Sequence, residues 1–219
     1  MLATRFPRPP GDVGHPATWR ADTEFRVVGG VGPLDAVRDA AGLAAGPVLT
    51  AFAAAARELE AGGVGAITTS CGFLVLLQSE LQACVGVPVA TSSLLLLPGL
   101  LARQQQVGVL TISAENLGRD HLLAAGVPAS RLRDVVVQGV DPQSEFVRAI
   151  LGNREAMDIE QAKRDVLAAA LALRLRAPHL KTLVLECTNM PPYAPALREA
   201  TGWKVLGLSD VPALRAYAA

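Results

Sequence analysis

The stretch that decides the fold is Thr68-Thr69-Ser70-Cys71-Gly72-Phe73-Leu74, which joins an apolar run at residues 64–69 to apolar residues at helical spacing over residues 73–84. This pattern predicts a short buried strand, a turn and a helix, with Cys71 at the turn. Free backbone N–H groups gather at the start of a helix and favour an anion, so a cysteine there can have its thiolate stabilised. Gly72 lets a substrate approach the backbone closely.

The same pattern occurs a second time, around Cys187. The run Leu183-Val184-Leu185-Glu186-Cys187-Thr188-Asn189 ends an apolar segment, and two prolines then begin a helix predicted over residues 193–200. Strands and helices alternate along the whole chain, which predicts parallel sheets covered by helices on both faces. Ligands of such sheets bind beyond the carboxyl ends of the strands, where both cysteines lie. An internal duplication would place the two cysteines on opposite walls of one cleft.

Composition and charge exclude several function classes. The chain has 219 residues, 51% of them hydrophobic, and twenty basic residues balance twenty acidic ones, which gives no support to binding of nucleic acid or an acidic membrane. The longest apolar stretch is far too short to span a bilayer. Three cysteines and no signal-peptide pattern predict a reducing cytoplasm. Three widely spaced histidines and no paired-cysteine motif leave little from which to build a metal site.

Two polar segments have alternative interpretations. Residues 1–20 are rich in proline and glycine and are predicted to be a loop, in which Asp12 either contributes to a site or caps a turn. Thr91, Ser92 and Ser93 precede an apolar helix, where their hydroxyls either cap that helix or bind a carboxylate. Cys84 lies on a helix face and is predicted to pack as a small hydrophobic residue.

Two facing thiols suit the transfer of a weakly acidic proton from one face of a carbon to the other. One cysteine must be a thiolate and the other a thiol, and their roles exchange with the direction of reaction. Neighbouring hydroxyls and free amides would hold a carboxylate and the enolate-like charge that develops beside it. Disulfide exchange is the competing chemistry for such a pair.

The motifs TTSCGFL, VPVATSSLLLLP and LVLECTNMPPY resemble those of the aspartate/glutamate racemase superfamily over nearly the whole chain, and FPRPPGDVGHPATW resembles the first loop of one branch. The resemblance implies an α/β fold of two similar Rossmann-like lobes with parallel four-stranded sheets and an active site in the cleft between them. Lobe 1 is expected to comprise residues 1–97, with a helix at residues 209–219 packing back on it, and lobe 2 residues 98–208. Members need no cofactor, and dimers are common among them, so a homodimer is expected here.

The resemblance also implies which residues form the site. It makes Cys71 and Cys187 the acid/base pair and assigns no metal ligand. The substrate-binding residues that it implies are Asp12, Ser70, Gly72, Thr91, Ser92, Ser93, Thr111, Thr188 and Asn189.

The sequence departs from the superfamily at two places. Only residues 1–4 stand where the family has a complete apolar strand, so we expect that strand to be very short or the sequence to begin within a longer reading frame. Asn189 stands where glutamate racemases commonly have histidine, and Glu186 precedes Cys187, which argues against glutamate as substrate. Glu186 either raises the pKa of Cys187 by like-charge repulsion or points away into the packing of its strand.

The leading hypothesis from the sequence is a cofactor-independent racemase or epimerase of an amino acid or related carboxylate, with aspartate the first substrate to try. The alternatives within the superfamily are a maleate-type cis-trans isomerase and a malonate-type decarboxylase. Two alternatives of other classes are a non-catalytic carboxylate-binding protein and a thiol-redox protein. The expected partner is a small carboxylate, with no nucleic acid and no membrane.

Overall fold

The computed structural model describes residues 1–20, 22–44 and 47–218, and within them the chain forms parallel sheets and helices in alternation. The strands are β1 (Ile67–Thr68), β2 (Val89–Ala90), β3 (Val107–Thr111), β4 (Val135–Gly139), β5 (Thr182–Leu185) and β6 (Lys204–Leu206). The α-helices are α1 (Pro33–Ala36), α2 (Ala40–Ala44), α3 (Val48–Ala61), α4 (Gln78–Ala83), α5 (Leu97–Leu101), α6 (Arg119–Ala124), α7 (Glu145–Leu151), α8 (Ile159–Arg176) and α9 (Ala194–Thr201).

Two parallel sheets carry these strands. The larger has the order β4-β3-β5-β6, and β1 pairs with β2 in the smaller. Every residue of β3 and of β5 is buried. Strands buried on both faces are typical of a parallel sheet covered by helices on both sides. The mixed α/β class and the parallel pairing predicted from the sequence are confirmed.

The sheet of the first half is smaller than the four strands expected. At the N-terminus a single parallel bridge joins Leu2 to Val28, and neither segment continues as a strand in the part that the structure describes. Prolines follow soon after at positions 7, 9 and 10, and proline has no N–H group to donate to a ladder. The segment around Val28 ends in a glycine turn, so neither segment is long enough to add a full strand.

Several helices begin differently from the prediction. The segments after both cysteines start as 3-10 helices, Gly72–Leu77 before α4 and Pro191–Tyr193 before α9. Five of the six residues in the first of these are buried, so packing from several sides sets its geometry. The sequence also predicts a helix capped by Ser113 and ending at Ala125, and this helix begins only at Arg119, after Gly118, because glycine disfavours the helix interior.

The end of the chain lies against the first loop. The helix expected over residues 209–219 does not form in its described part, residues 209–218: 3-10 turns occupy Leu208–Asp210 and Arg215–Tyr217, as expected of a segment too short to hold an isolated helix. The N–H group of Arg20 donates to the carbonyl of Tyr217 at 2.8 Å. The lobe boundaries given above stay a prediction.

One continuous apolar core joins the two sheets, and a smaller cluster lies under the C-terminal turns. None of the helices in the described segments is both long and apolar enough to cross a membrane.

Candidate active site

Cys71 and Cys187 line the same cavity, at the carboxyl ends of β1 and β5. Both residues are buried, and neither is in a disulfide. The cavity measures about 20 Å³, and a single water molecule needs about 10–15 Å³ measured in this way. The structure therefore brings the two cysteines together around a space of about one water molecule, in a closed arrangement.

Burial controls the ionisation of Cys71. It raises the pKa of this thiol to about 12, with a further contribution from the negative charge of Glu186. The backbone N–H groups of Phe73 and Leu74 lower the pKa, as the position at a helix start predicts. Desolvation outweighs these two donors, so the thiolate that the sequence led us to expect is disfavoured in the closed site.

Cys187 has a similar environment. Burial and then Glu186 raise the pKa of its thiol well above its ordinary value, while the N–H group of Asn189 lowers it. The Sγ atom also donates to Oδ1 of Asn189 at 3.5 Å. Each cysteine therefore has the N–H group of the residue two positions later beside its sulfur, as two copies of one strand–turn–helix construction would have.

The carboxyl group of Glu186 lies beside both thiols. Burial raises its pKa to about 8, and the hydroxyl of Thr111 opposes this by donating to Oε2 at 2.7 Å. Among the described residues, no partner donates to or accepts from Oε1. Of the two interpretations that the sequence left open, the structure shows the one in which Glu186 raises the pKa of Cys187.

Asp12 acts on the site through Asn189. It is 1% exposed, and Oδ2 accepts a hydrogen bond from Nδ2 of Asn189 at 2.6 Å. Its other oxygen accepts from the guanidinium of Arg8 at 2.6 Å, which compensates the buried charge. The chain of contacts from Arg8 to Cys187 fixes the amide of Asn189, and Asp12 itself does not line the cavity. Sequence reasoning missed Arg8, although its spacing of four residues from Asp12 was a signal.

Ser70 and Thr188 connect the two halves of the site. The hydroxyl of Thr188 donates to the carbonyl of Ser70 at 2.8 Å, and the hydroxyl of Ser70 accepts from the N–H group of Leu2 at 3.0 Å. Both residues line the cavity, as does Gly72. Their backbones and side chains hold the cysteine turns against each other.

The hydroxyls of Thr91, Ser92 and Ser93, which follow β2, form hydrogen bonds within the protein and not at the cavity. Thr91 donates to the side chain of Gln78 at 2.7 Å, and Ser93 donates to the carbonyl of Leu185 at 2.7 Å. Ser92 accepts from the N–H group of Leu94 at 3.2 Å as a helix cap. None of the three lines the cavity, and capping is the role that the structure gives to Ser92.

The other walls of the cavity are apolar and were not identified from the sequence. They come from distant segments, and they are Leu2, Phe6, Pro33, Val37, Phe73, Ile112 and Ile150. No periodicity distinguishes these side chains from ordinary core residues, so the sequence held no signal for them. Cys84 lies away from the cavity, packed at the edge of the core with Arg57 donating to its sulfur, as predicted.

A larger cavity of about 390 Å³ lies along β1 beside Trp19 and Tyr217, and it contains neither cysteine. The chemistry of the two thiols belongs to the smaller cavity. Within the described ranges, no group of three or more histidine, cysteine or acidic residues could hold a metal ion.

Similar sequences come from lyases. The chain is 31% identical over 210 residues to dimethylsulfoniopropionate lyase 5 of Emiliania huxleyi, which covers 92% of this chain and 41% of that protein. It is 29% identical over 203 residues to a dimethylsulfoniopropionate lyase of Durusdinium sp. clade D, covering 90% of this chain and 65% of that protein. The chain thus spans less than two thirds of the length of these relatives. A search of protein-family models finds no match.

Similar structures come from racemases and a decarboxylase. Allantoin racemase from Klebsiella pneumoniae matches with a TM-score of 0.55 and 16% identity, over 89% of this chain and 70% of the other. A mutant of arylmalonate decarboxylase in its sulfate-associated form matches with a TM-score of 0.55 and 18% identity, over 90% and 84% of the two chains. The chain therefore has the two-lobe α/β fold of these two solved structures, the fold class that the sequence led us to expect.

Proposed function

We propose that this chain carries the active site of a lyase that splits dimethylsulfoniopropionate, or a carboxylate built like it, by removing a proton next to the carboxylate. The observation that carries the proposal is the pair of buried cysteines around one cavity, Cys71 and Cys187. Similarity to dimethylsulfoniopropionate lyases over 92% of the chain supports the choice of substrate. This choice replaces the aspartate suggested by the sequence motifs as the first substrate to try.

The proposed reaction is a β-elimination. A cysteine thiolate removes one proton from the carbon next to the carboxylate, and the electron pair of that C–H bond forms the double bond of acrylate. The bond between the β-carbon and the sulfonium sulfur breaks with its electrons moving to sulfur, so dimethyl sulfide leaves as a neutral molecule. The cysteine then carries the proton, which it returns to water.

We assign the base role to Cys71. Two backbone N–H groups, those of Phe73 and Leu74, lower the pKa of this thiol, whereas one N–H group does so for Cys187. Elimination needs one base, so Cys187 as a neutral thiol would donate a hydrogen bond to the charge that develops on the substrate.

The closed cavity of about 20 Å³ is smaller than even a small carboxylate, so the walls must separate for a substrate to enter. Separation admits water, which lowers the desolvation that raises the pKa of both thiols. Formation of the thiolate is therefore coupled to substrate entry.

An amino-acid racemase is the second candidate. The observation that favours it is the presence of two thiols at one cavity, since delivery of a proton to the opposite face needs a second acid. Racemisation returns deuterium to the α-carbon from solvent, whereas elimination yields a new double bond. Decarboxylation would release carbon dioxide, and cis-trans isomerisation would change only the double-bond geometry.

The test is incubation of the protein in deuterium oxide with dimethylsulfoniopropionate, aspartate and a panel of dicarboxylic acids. Headspace gas chromatography detects dimethyl sulfide, and proton NMR detects acrylate and exchange at the α-carbon. The variants are Cys71→Ala and Cys187→Ala, with Cys84→Ala as a matched control because this third cysteine lies away from the cavity.

We expect wild type and Cys84→Ala to release dimethyl sulfide and acrylate in a one-to-one ratio and at the same rate. The elimination rate is expected to fall at least about a thousandfold in Cys71→Ala and by a smaller factor in Cys187→Ala. Exchange with inversion of an amino acid, lost in both active-site variants, would establish the racemase instead. Absence of elimination and exchange would contradict both candidates.

A further inference from the structure

Glu186 is a buried acid that the elimination chemistry described above does not use. The residue is 1% exposed, and it lines the cavity together with both cysteines. Thr111 donates a hydrogen bond to Oε2, while Oε1 has no partner among the residues that the structure describes. A buried carboxyl oxygen without a donor is costly, so it indicates a ligand group that belongs beside it.

The opposite turn is shaped around this carboxyl group. A Cβ atom at Gly72 would lie 2.4 Å from Oε1 of Glu186 and 2.2 Å from its backbone oxygen. Only glycine at this position leaves room for the acid beside Cys71. The close approach of the two turns thus places Oε1 beside Gly72, which also lines the cavity.

The cavity supplies no positive charge to balance an ionised Glu186. None of the described residues that line it is lysine, arginine or histidine, and most of its wall is apolar. Two aromatic side chains, Phe6 and Phe73, belong to this wall, and aromatic rings attract cations. A single acid in an apolar and partly aromatic pocket suits a cation that carries methyl groups rather than N–H donors.

We propose that Glu186 is the binding residue for the methylated cationic group, sulfonium or quaternary ammonium, of a substrate that also carries a carboxylate. The proposal rests on the lyase function above, because that reaction takes a substrate of this class. A primary ammonium group needs acceptors for three N–H groups. The side chains of Ser70, Thr188 and Asn189 are already hydrogen-bonded, and Oε1 of Glu186 is the acceptor left without a partner among the described residues, so free amino acids bind less well. Glu186 therefore selects onium carboxylates over amino acids.

Binding of such a cation also changes the ionisation of the site. Burial keeps Glu186 largely protonated near neutral pH, and a cation beside it favours the carboxylate and the release of its proton. The titratable groups that face Glu186 are Cys71 and Cys187, with Asp12 and Arg8 behind Asn189. The same cation lowers the pKa of both thiols, so the substrate assists formation of its own base.

The test compares two ligands of the same shape. These are 3-(trimethylammonio)propionate and 4,4-dimethylpentanoate, in which a neutral carbon replaces the cationic nitrogen. Isothermal titration calorimetry measures their binding to wild type, to Glu186→Gln and to the control Glu80→Gln, which removes an exposed acid on α4.

We expect wild type and Glu80→Gln to bind the cation at least about tenfold more tightly than the neutral ligand, and Glu186→Gln to bind both about equally. Calorimetry of wild type at neutral pH in two buffers of different ionisation enthalpy gives a second measurement that needs no variant. The cation is expected to release a proton and the neutral ligand none. The proposal is overturned if wild type binds the two ligands equally or binds neither of them. It is also overturned if Glu186→Gln still prefers the cation to the neutral ligand.

The failure of this proposal and the failure of the lyase proposal give different results. If the protein prefers the cation but releases no dimethyl sulfide, the binding role of Glu186 stands and the lyase proposal fails. Release of dimethyl sulfide with an unchanged KM in Glu186→Gln would retain the function and overturn the role of Glu186.

Discussion

Cys71, Glu186 and Cys187 are three acids at one apolar cavity, and burial raises the pKa of all three. A negative charge on any one of them disfavours ionisation of the others, so Glu186 contributes to the raised pKa of both thiols. In the closed site these groups therefore stay largely protonated at neutral pH. Reactivity depends on a change in this environment, by hydration or by a cationic ligand.

The raised pKa of Glu186 makes its contribution to stability depend on pH. Its pKa is about 8 in the folded protein and 4.5 in the unfolded chain. As pH rises, the unfolded chain loses this proton at a lower pH than the folded protein does. The contribution of Glu186 to the free energy of unfolding is therefore complete below pH 4.5 and falls as pH rises to about 8. The steepest decline is about 1.4 kcal/mol per pH unit.

We expect Glu186→Gln to gain stability relative to wild type as pH increases from 5 to 8, because glutamine has no proton to lose. Urea unfolding of both proteins at pH 5, 6.5 and 8 measures the difference. Other titrating groups, such as the buried His121, occur in both proteins and cancel. Parallel stability curves would contradict the raised pKa.

At the scale of elements, the site is made by two strand–turn–helix units whose turns touch. The 3-10 helix Gly72–Leu77 begins against the end of β5, at Glu186. Helix and strand can approach so closely because the first residue of that helix has no side chain. Periodicity predicted the two units, and the contact between them follows only from packing.

We expect Gly72→Ala to destabilise the protein by about 1–3 kcal/mol or more, since its Cβ would lie 2.2 Å from a backbone atom that cannot rotate away. The control is Gly99→Ala in α5, where a Cβ meets nothing within 4 Å. That substitution is expected to be neutral or to stabilise by about 0.5–1 kcal/mol, as alanine favours helices. Chemical denaturation measures both, and equal effects would argue against the close contact.

For the molecule as a whole, hydrogen bonds join the two halves of the chain around the cysteine turns. Thr188 after β5 donates to Ser70 after β1, and Ser93 donates to Leu185. A substrate enters only if contacts of this kind yield. The expected cytoplasmic location and homodimer stay predictions.

We expect Thr188→Val to increase the rate at which iodoacetamide alkylates Cys71 several-fold, because the carbonyl of Ser70 loses its donor and the halves separate more often. Mass spectrometry of the Cys71 peptide measures the rate. Thr201→Val is the control, because its buried hydroxyl donates to Leu197 and accepts from the N–H group of Trp203, both close in the chain and away from the contact between the halves. A similar acceleration in both variants would mean general destabilisation and not opening of the cavity.

The sequence by itself determined the α/β class, the parallel pairing and the position of each cysteine at a strand-to-helix turn. These features depend on periodicity and turn residues within short segments, which a sequence displays directly. The small size of the first sheet was not predicted, because the pairing of Leu2 with Val28 joins segments that are distant in the sequence.

The tertiary structure alone decided what surrounds the thiols. It brought Gly72 against Glu186, gave the hydroxyls of Thr91, Ser92 and Ser93 to internal partners, and buried both cysteines so deeply that desolvation outweighs the amide donors beside them. The direction of a side chain and the dielectric around it depend on groups far away in the chain. For that physical reason the sequence indicated Cys71, Glu186 and Cys187 as the ionisable residues, and the packing around them determined their pKa values.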